Sequence, residues 1–486
     1  MATEAPVLLW FRRDLRLADH SALAAALATG RPVVPVFILD EALEGRAPGG
    51  ASLWWLDKSL RRLGESIAAR GGRLILRRGP AERVLRDLAN ETGADRIFLS
   101  RLFEPVAAAR DRDLAHALKA EGVEVKGYNG TLLTPPGTVR TGSGGPYKVF
   151  TPFLRALLAA TTPPPTLPDS AGATFAGAGV ASDDLERWGL HPTAPDWSGG
   201  FDWTPGEAGA LEALRRFTAG PLADYARLRD LPGKAGTSRL SPHLHWGEIS
   251  PWRAVQAARE AGEAGKVSAA KADKFIAEIG WREFSAHLLA EFPHITAEAF
   301  RPEYDAMPWR EDPAGLRAWQ KGQTGYPVVD AGMRQLWATG WMHNRVRMIV
   351  ASFLVKHLLI DWRHGEAWFH DTLVDADTAA NVQNWQWVAG SGADAAPYFR
   401  IFNPITQGQK FDPDGRYVRR WVPELARLGD RWLHAPWTAP PEVLRDAGVR
   451  LGSSYPRPIV EHEIGRKRAL EALKTIGETR AAGQDA

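Results

Sequence analysis

No cysteine occurs in the 486 residues, so disulfides, thiolate zinc sites and cysteine nucleophiles are excluded. No uninterrupted apolar run is long enough to cross a bilayer, and residues 1–6 have neither the basic nor the apolar region of a signal peptide. We therefore expect a cytoplasmic protein that does not associate with membranes. The formal net charge is only +3, so any nucleic acid has to be bound by a local basic patch.

Two common nucleotide-binding motifs are also missing. The turn after the first apolar run reads Phe11-Arg12-Arg13-Asp14 without a GxGxxG pattern, and no GxxxxGK(S/T) occurs anywhere. An ordinary dinucleotide fingerprint and a P-loop are therefore disfavoured. Tryptophan, by contrast, is abundant. Most of the 20 indoles are expected to be core anchors, which leaves a few for stacking or redox roles.

The order of apolar patterns divides the chain into three parts. Residues 1–130 alternate β-rich runs with amphipathic helical stretches, the runs falling at 7–11, 32–39, 73–76, 96–100 and 123–128 and the helical stretches at 52–70, 81–92 and 106–121. This alternation predicts a doubly wound α/β domain with a parallel sheet. Residues 131–204 are rich in Gly, Pro, Ala and Thr, with three prolines at 163–165, and predict a long surface connector.

From residue 205 to 480 helical periodicity dominates, which predicts an all-helical C-terminal domain. Ser-Pro pairs at 241–242 and 250–251 predict that a serine caps each helix and that proline takes its first position.

Two segments of the helical part combine polar and aromatic residues. Residues 237–241 (Thr-Ser-Arg-Leu-Ser) precede a predicted helix, where free amides favour a bound phosphate, although a plain cap with a surface arginine explains the segment equally well. Glu278, Trp281 and Arg282 are spaced at i, i+3 and i+4 and so share one helix face. That face predicts either a polar pocket or a surface salt bridge beside a tryptophan.

A third segment places Trp341, Asn344 and Met348 at i, i+3 and i+7, which predicts one shared helix face. It is followed by Asp-Ala-Asp at 375–377, a pattern that fits a metal site or an ion pair with Arg347. No cysteine or close histidine completes a ligand set, so no metal is expected.

Together these segments resemble the photolyase/cryptochrome flavoprotein family, most closely its class I-type cyclobutane pyrimidine dimer photolyases, and the resemblance spans nearly the whole chain. The matching motifs are Trp-Phe-Arg-Arg-Asp-Leu-Arg at 10–16, Thr-Ser-Arg-Leu-Ser at 237–241, Glu-Ile-Gly-Trp-Arg-Glu-Phe at 278–284, Gly-Trp-Met-His-Asn-Arg at 340–345, Asp-x-Asp-x-Ala-x-Asn at 375–381, Asn-Trp-Gln-Trp at 384–387 and the tract 395–404.

The resemblance implies that FAD is bound, folded back on itself, inside the helical domain. Its phosphates and ribityl region would be held by Tyr225, Thr237, Ser238, Arg239, Leu240 and Ser241. Its adenine and isoalloxazine would be surrounded by Phe275, Glu278, Arg282, Trp341, Asn344, Arg347, Asp375, Asp377 and Asn381. Asp375 would hold Arg347 beside a negatively charged reduced flavin, and Asn381 would face flavin N5, where the family's plant photoreceptors have Asp. Phe275 stands where many relatives carry Trp.

The resemblance also implies that UV-damaged DNA is the partner, with the pyrimidine dimer flipped out of the stack. Trp281 and Trp387 would pack against the dimer, Glu278 would hydrogen-bond a pyrimidine carbonyl, and Met348 would press against the ring. Asn344 would contact flavin and substrate. Phosphate contacts would come from Arg229, Arg345, Arg400 and Gln407.

Three indoles, Trp385, Trp362 and Trp309, resemble the family's electron-transfer chain, which reduces the flavin from the surface. A second, antenna chromophore is implied at the switch point of the sheet. Its identity stays open between 8-hydroxy-5-deazaflavin and methenyltetrahydrofolate. Arg13, Asp40 and Glu104 resemble deazaflavin-binding positions, but Leu102 stands where an acid is expected, and 106–107 is Val-Ala where folate-binding relatives have Asn-Glu.

The expected function is light-dependent splitting of cyclobutane pyrimidine dimers by a monomeric enzyme that transfers an electron from reduced FAD. The alternative is a cryptochrome-type blue-light photoreceptor without repair activity. Repair of (6-4) products resembles acid–base work by two histidines, and the corresponding positions are Asn344 and Met348, which cannot donate a proton at neutral pH. A generic flavin reductase is disfavoured because no nicotinamide-binding fingerprint occurs.

Overall fold

The computed structural model describes residues 4–41, 45–161, 175–395 and 399–484. Within these residues the strands are β1 (Val7–Phe11), β2 (Val33–Leu39), β3 (Ile75–Arg78), β4 (Arg96–Ser100) and β5 (Glu124–Tyr128). All pair in parallel, in the order β3-β2-β1-β4-β5. The helices between them are α1 (Ser21–Leu27), α2 (Gly50–Ala68), α3 (Ala81–Thr92) and α4 (Pro105–Ala120). The predicted doubly wound α/β domain is confirmed.

The sheet is covered on both faces. Because successive strand residues point to opposite sides, Leu9 and Phe11 pack with α1 and α2, whereas Leu8 and Trp10 pack with α3 and α4. The strand order reverses between β1 and β4, which places the switch point there. Strand β3 starts two residues later than the predicted 73–76 because its ladder begins where Ile75 pairs with Val36.

The connector is not the bare surface segment that its composition predicted. It contains α5 (Phe150–Ala160), where Phe150, Phe153 and Leu157 are buried at helical spacing in the core of the helical domain. Further along, Phe175 forms a parallel bridge with Val33. The proline run at 163–165 lies outside the described residues.

The C-terminal part is helical, as predicted, and in its described residues only an isolated bridge between Leu451 and Tyr455 has strand pairing. Its helices are α6 (Glu207–Ala219), α7 (Tyr225–Leu228), α8 (Ser241–His245), α9 (Pro251–Glu263), α10 (Ala269–Glu291), α11 (Pro313–Gln320), α12 (Pro327–Thr339), α13 (Asn344–Ser352), α14 (Trp362–Thr372), α15 (Thr378–Ala389), α16 (Pro404–Phe411), α17 (Arg416–Trp421), α18 (Asp430–Leu433), α19 (Pro441–Asp446) and α20 (His462–Gln484). A π-helical turn, Phe353–Leu358, continues α13. None of the described helices is long and apolar enough to cross a membrane.

Only one of the two predicted serine caps is present. Ser250 caps α9 by accepting a hydrogen bond from Arg253 N at 3.0 Å. Ser241, however, is the first residue of α8, and Leu240 takes the cap position. Because it is inside the helix, the Ser241 hydroxyl is free to accept a hydrogen bond from Trp341 Nε1 at 3.3 Å.

The α/β domain packs directly on the helical domain. Trp55 of α2 donates its indole N–H to the buried carboxylate of Glu248 at 3.0 Å. Gly247 has φ of +64°, and a Cβ there would lie 2.0 Å from the carbonyl oxygen of Arg13, so this close approach requires glycine. This contact places the loop after β1 against the residues that directly follow α8.

Candidate functional site

A cavity of about 430 Å³ opens in the helical domain between α7, α8, α10, α13, α14 and α15. We call it the main cavity; its volume is in the usual range of organic-ligand sites. Most of the predicted cofactor residues line it, namely Tyr225, Ser238, Ser241, Phe275, Glu278, Arg282, Trp341, Asn344, Arg347, Asp375, Asp377 and Asn381. The predicted catalytic residues Trp281, Met348 and Trp387 line it too.

Three predicted cofactor residues, Thr237, Arg239 and Leu240, are not among the residues that line the cavity. Leu240 is buried in the hydrophobic core. Arg239 has φ of +54°, and its guanidinium lies over the ring of Trp203 at 4.1 Å. The same guanidinium lies 5.2 Å from the ring of Trp341, which lines the cavity, and the predicted phosphate contact of Arg239 stays a prediction.

An ion pair fixes a positive charge in the cavity wall. Arg347 Nη2 donates to both carboxylate oxygens of Asp375, at 2.9 and 3.0 Å, and Arg347 Nε donates to the carbonyl of Met342 at 2.8 Å. The sequence allowed either a metal site or an ion pair for the Asp-Ala-Asp segment, and the structure has the ion pair between Asp375 and Arg347. Asp377 instead caps α15 through Ala380 N at 2.8 Å. Among the described residues no three His, Asp or Glu side chains group as metal ligands.

Asp377 also faces the α/β domain. Its carboxylate lies 3.7 Å from Arg13 Nη1 and 3.8 Å from His245 Nδ1. Burial alone would raise the pKa of Asp377, but its polar contact with His245 and the charges of Arg282 and Arg13 lower that pKa below its usual range. Burial lowers the pKa of His245 to about 4, so this imidazole is neutral at pH 7.

Asn381 is hydrogen-bonded by a residue that the sequence analysis did not single out, Glu366. Its Nδ2 donates to the backbone oxygen of Glu366 at 3.0 Å and to Glu366 Oε1 at 2.8 Å. Glu366 in turn accepts from both Nη atoms of Arg46, at 2.6 and 2.9 Å. Arg46 belongs to the α/β domain, so no periodicity within one helix signals this contact.

Acidic side chains hold two of the predicted DNA-contact arginines. Arg229 donates to both carboxylate oxygens of Glu278, with Nη2 3.0 Å from Oε2. Arg345 donates to Asp230 Oδ1, at 2.9 Å from Nη2 and 3.2 Å from Nε. Asp230 was not predicted as a functional residue, since an aspartate beside an arginine carries no distinctive signal.

Aromatic side chains complete the walls. Trp281 stacks on Phe150 of α5, with ring centres 3.6 Å apart and planes within 7°, so Phe150 covers one face of the indole. Trp387 Nε1 donates to the carbonyl of Asp394 at 2.9 Å. Phe275 packs edge-on against Tyr225 at 5.7 Å.

Trp341, Asn344 and Met348 do not share a helix face as predicted, because α13 begins only at Asn344 and His343 caps it. All three nevertheless line the main cavity. The predicted face is therefore absent because the helix begins three residues after Trp341, while the three side chains still converge on the cavity.

The three indoles of the expected electron-transfer chain differ in burial. Trp385 lines the main cavity and is buried, Trp362 is buried in the adjoining core, and Trp309 is partly exposed. Arg400 and Gln407 lie outside the cavity lining, Arg400 over the ring of Phe402 and Gln407 on α16. Residues 396–398 of the matching tract are outside the described part of the chain.

In the described part of the chain, the positions expected for an antenna border two small spaces. Arg13, Leu102 and Glu104 line a cavity of about 30 Å³, and Arg13 and Asp40 line one of about 50 Å³. These volumes suit ordered water rather than a tricyclic or pteridine ring. Arg13 lies 3.5 Å from Glu104 across the first of these spaces.

Comparison with known proteins agrees with the geometry. A family model described as DNA photolyase matches residues 7–169, and one described as the FAD binding domain of DNA photolyase matches residues 275–475. A deoxyribodipyrimidine photo-lyase of Agrobacterium fabrum is 51% identical over 480 residues, covering 98% of this chain and 99% of that one. Cryptochrome-1 of Arabidopsis thaliana is 40% identical over 497 residues, covering 99% of this chain and 72% of that one.

The crystal structure of a bacterial class III photolyase from Agrobacterium tumefaciens has a TM-score of 0.93 and 51% identity, with 98% of each chain covered. The motifs alone resembled class I-type photolyases, whereas this similar structure is of class III. The chain belongs to the DNA photolyase family.

FAD is the cofactor of the family's helical domain, and the main cavity fits it. The hydroxyls of Ser238 and Ser241 and the guanidinium of Arg347 supply hydrogen-bond donors along one lining. Trp385 Nε1 is buried at the wall without a hydrogen-bond partner among the described residues. A polar, aromatic-walled cavity with a fixed cation suits a large aromatic anion.

Proposed function

We propose that this protein repairs UV-damaged DNA by splitting cyclobutane pyrimidine dimers in the light. The observation that carries the proposal is that Glu278, Met348 and the indoles of Trp281 and Trp387 line the same cavity as the Arg347–Asp375 ion pair. A lesion-sized aromatic clamp and a cationic flavin site therefore meet in one space.

The chain's own residues divide the work in that cavity. When bound, reduced FAD supplies one electron in the light and takes it back after the bond is split. Arg347, oriented by Asp375, would compensate the negative charge of the reduced cofactor. Asn381, held by Glu366, presents its amide to the ring. The other residues that would contact the cofactor are the predicted ones that line the cavity, namely Tyr225, Ser238, Ser241, Phe275, Arg282, Trp341, Asn344 and Asp377.

The dimer side of the cavity is built from groups that bind rather than transfer protons. Trp281 and Trp387 stack against the flipped bases, and Met348 adds a polarisable apolar contact. Once it leaves Arg229, Glu278 faces the pyrimidine edge, where its carboxylate accepts from N3–H and can share a proton with the neighbouring carbonyl. Asn344 and Met348 lack an acidic proton at neutral pH, so we propose repair of cyclobutane dimers and none of (6-4) products.

Other residues are proposed to conduct electrons to the flavin and to bind the DNA phosphates. Trp385, Trp362 and Trp309 form the proposed path for reducing the flavin, and the position of Trp385 in the cavity wall and the partial exposure of Trp309 support it. Phosphate contacts come from Arg229, Arg345, Arg400 and Gln407, a sequence-independent and salt-sensitive set.

The test is repair of dimer-containing and (6-4)-containing oligonucleotides by the FAD-loaded protein under blue or near-UV light. We expect dimer splitting in the light only, no (6-4) repair, and a marked loss of dimer splitting in Glu278→Ala. (6-4) repair that matches or exceeds dimer repair would overturn the assignment. Glu121→Gln is the matched control, because Glu121 pairs with Arg86 at 2.9 Å on the surface of the α/β domain.

The alternative, a blue-light photoreceptor without repair activity, is favoured by the 40% identity to Arabidopsis cryptochrome-1. Asn381 and the paired indoles Trp281 and Trp387 favour repair instead. The same assay separates the two: a protein that photoreduces its flavin but splits no dimer in the light is a photoreceptor.

A further inference from the structure

The side of the main cavity that is proposed to hold the dimer, lined by Glu278, Trp281, Met348 and Trp387, is called its lesion side. Four charged side chains form a continuous chain from this lesion side to the protein surface. Glu278 accepts from the Nη atoms of Arg229, with one contact at 3.0 Å. Arg229 Nε lies 3.9 Å from Asp230 Oδ1, and Asp230 Oδ1 accepts from Arg345 Nη2 at 2.9 Å. We call Glu278, Arg229, Asp230 and Arg345 the ion-pair chain. In the free protein it alternates in sign, so every cation in it has an internal partner.

The side chains of the ion-pair chain are only partly exposed. The side chains of Arg229 and Arg345 are 15% and 19% exposed, and those of Glu278 and Asp230 are 23% and 34% exposed. Partly buried charges are screened less by salt than surface pairs are. Asp230 therefore competes effectively with a DNA phosphate for Arg345.

We propose that Asp230 determines lesion specificity by linking the lesion side of the cavity to the phosphate contact of Arg345. The proposal rests on the proposed function. Undamaged DNA offers a phosphate but nothing for Glu278, so Glu278 keeps both Nη atoms of Arg229, and releasing Arg345 leaves Asp230 only the 3.9 Å contact with Arg229 Nε. A flipped dimer instead gives the Glu278 carboxylate a pyrimidine N3–H donor as its new partner.

Each following step uses contacts already within reach. When Glu278 turns to the pyrimidine, both Nη atoms of Arg229 become free, and they can turn to Asp230, whose Oδ1 already lies 3.9 Å from Arg229 Nε. A guanidinium has five N–H donors, so Arg229 can bind Asp230 and phosphate together. Asp230 then gives up Arg345 in exchange for hydrogen bonds from Arg229, so its charge stays paired. Arg345 binds the backbone only when the lesion has entered.

The test compares binding of dimer-containing and undamaged duplex in the dark by wild type and Asp230→Asn. We expect the variant to bind undamaged duplex at least about threefold more tightly, because Arg345 is freed, with little change for dimer duplex. The preference for dimer DNA falls accordingly. The salt dependence for undamaged DNA should steepen by about one phosphate contact.

Three further variants sharpen the result. Asp95→Asn is the matched control, because Asp95 pairs with Arg31 at 2.6 Å in the α/β domain and its loss changes net charge equally. Asp230→Glu should keep the wild-type preference. In a protein that already carries Glu278→Gln, Asp230→Asn should no longer change the preference for dimer-containing over undamaged duplex. The reason is that the residue at position 278, which starts the ion-pair chain, is then already neutral. Flavin absorbance and circular dichroism verify folding of each variant.

The outcomes are distinct. If Asp230→Asn weakens binding to both duplexes, Asp230 merely orients Arg345, and the proposal is wrong. A wild-type preference that Asp230→Asn leaves unchanged also overturns it, while the proposed function stands. If wild type shows no preference for dimer DNA, the proposed function fails, and the link through Asp230 falls with it.

Discussion

At the scale of single residues, the orientation of Asn381 is decided by its neighbour. Both oxygens of Glu366 within reach can only accept hydrogen bonds, so the Asn381 amide must turn Nδ2 towards them. Its carbonyl oxygen is then the polar atom left for a ligand. Arg46 holds the Glu366 carboxylate with two hydrogen bonds, so the α/β domain contributes to the flavin site.

This contact leads to a prediction for Arg46→Gln. The substitution leaves the Glu366 charge uncompensated near the ring, which disfavours adding negative charge to the flavin. We expect the midpoint potential of bound flavin to fall by on the order of 30 mV, a tenfold change in a two-electron equilibrium. Spectroelectrochemical titration measures it, with Arg31→Gln as a charge-matched control. An unchanged potential would show that the Arg46 contact is only structural.

At the scale of elements, α5 joins the connector to the lesion side of the cavity. Its first residue, Phe150, stacks on Trp281, and the backbone N–H of Phe150 donates to Asp394 at 3.3 Å. The carbonyl of the same Asp394 accepts from Trp387 Nε1. One short helix therefore supports both indoles of the proposed clamp.

For Phe150→Leu we expect normal FAD content and a several-fold weaker affinity for dimer duplex. Leucine keeps an apolar side chain there but removes the stacked ring, so Trp281 loses its fixed plane, an effect of about 1 kcal/mol for such aromatic pairs. Fluorescence titration with dimer duplex measures the affinity, and affinity for undamaged duplex should not change. Phe292→Leu, outside the cavity lining, is the control. Equal dimer affinity in Phe150→Leu and wild type would contradict the support role.

At the scale of the whole molecule, buried neutral histidines in separate elements make the fold sensitive to acid. Burial lowers the pKa of His343, which caps α13, and of His245, on α8, to about 4 each. It lowers the pKa of His357, in the π-helical turn, to about 3. An unfolded histidine, with pKa near 6.5, binds a proton in the interval where these do not, so stability falls as pH drops below 6.5.

His343→Asn tests one of these contributions, because asparagine also caps helices well. Between pH 7.5 and pH 5 the wild type should lose about 2 kcal/mol of unfolding free energy that the variant keeps, since the unfolded histidine takes up a proton from pH 6.5 downward and the folded one does not until about pH 4. Denaturant unfolding at both pH values measures the difference. Identical pH dependence in the two proteins would mean that His343 is not buried neutral.

The sequence by itself determined the two architectures, the sites of β1 and β4, and the residue types that converge on the main cavity. Periodicity shows which residues share an element, and the motifs show which chemistry recurs. It did not show α5 in the connector, the packing of Arg239 on Trp203, or the start of α13 at Asn344, because these depend on local backbone geometry and on which side chains meet. Contacts between distant parts of the chain were decided only by tertiary structure. Arg46 meets Glu366 across 320 positions and Arg345 meets Asp230 across 115, and no local pattern encodes ion pairs between elements that only folding brings together.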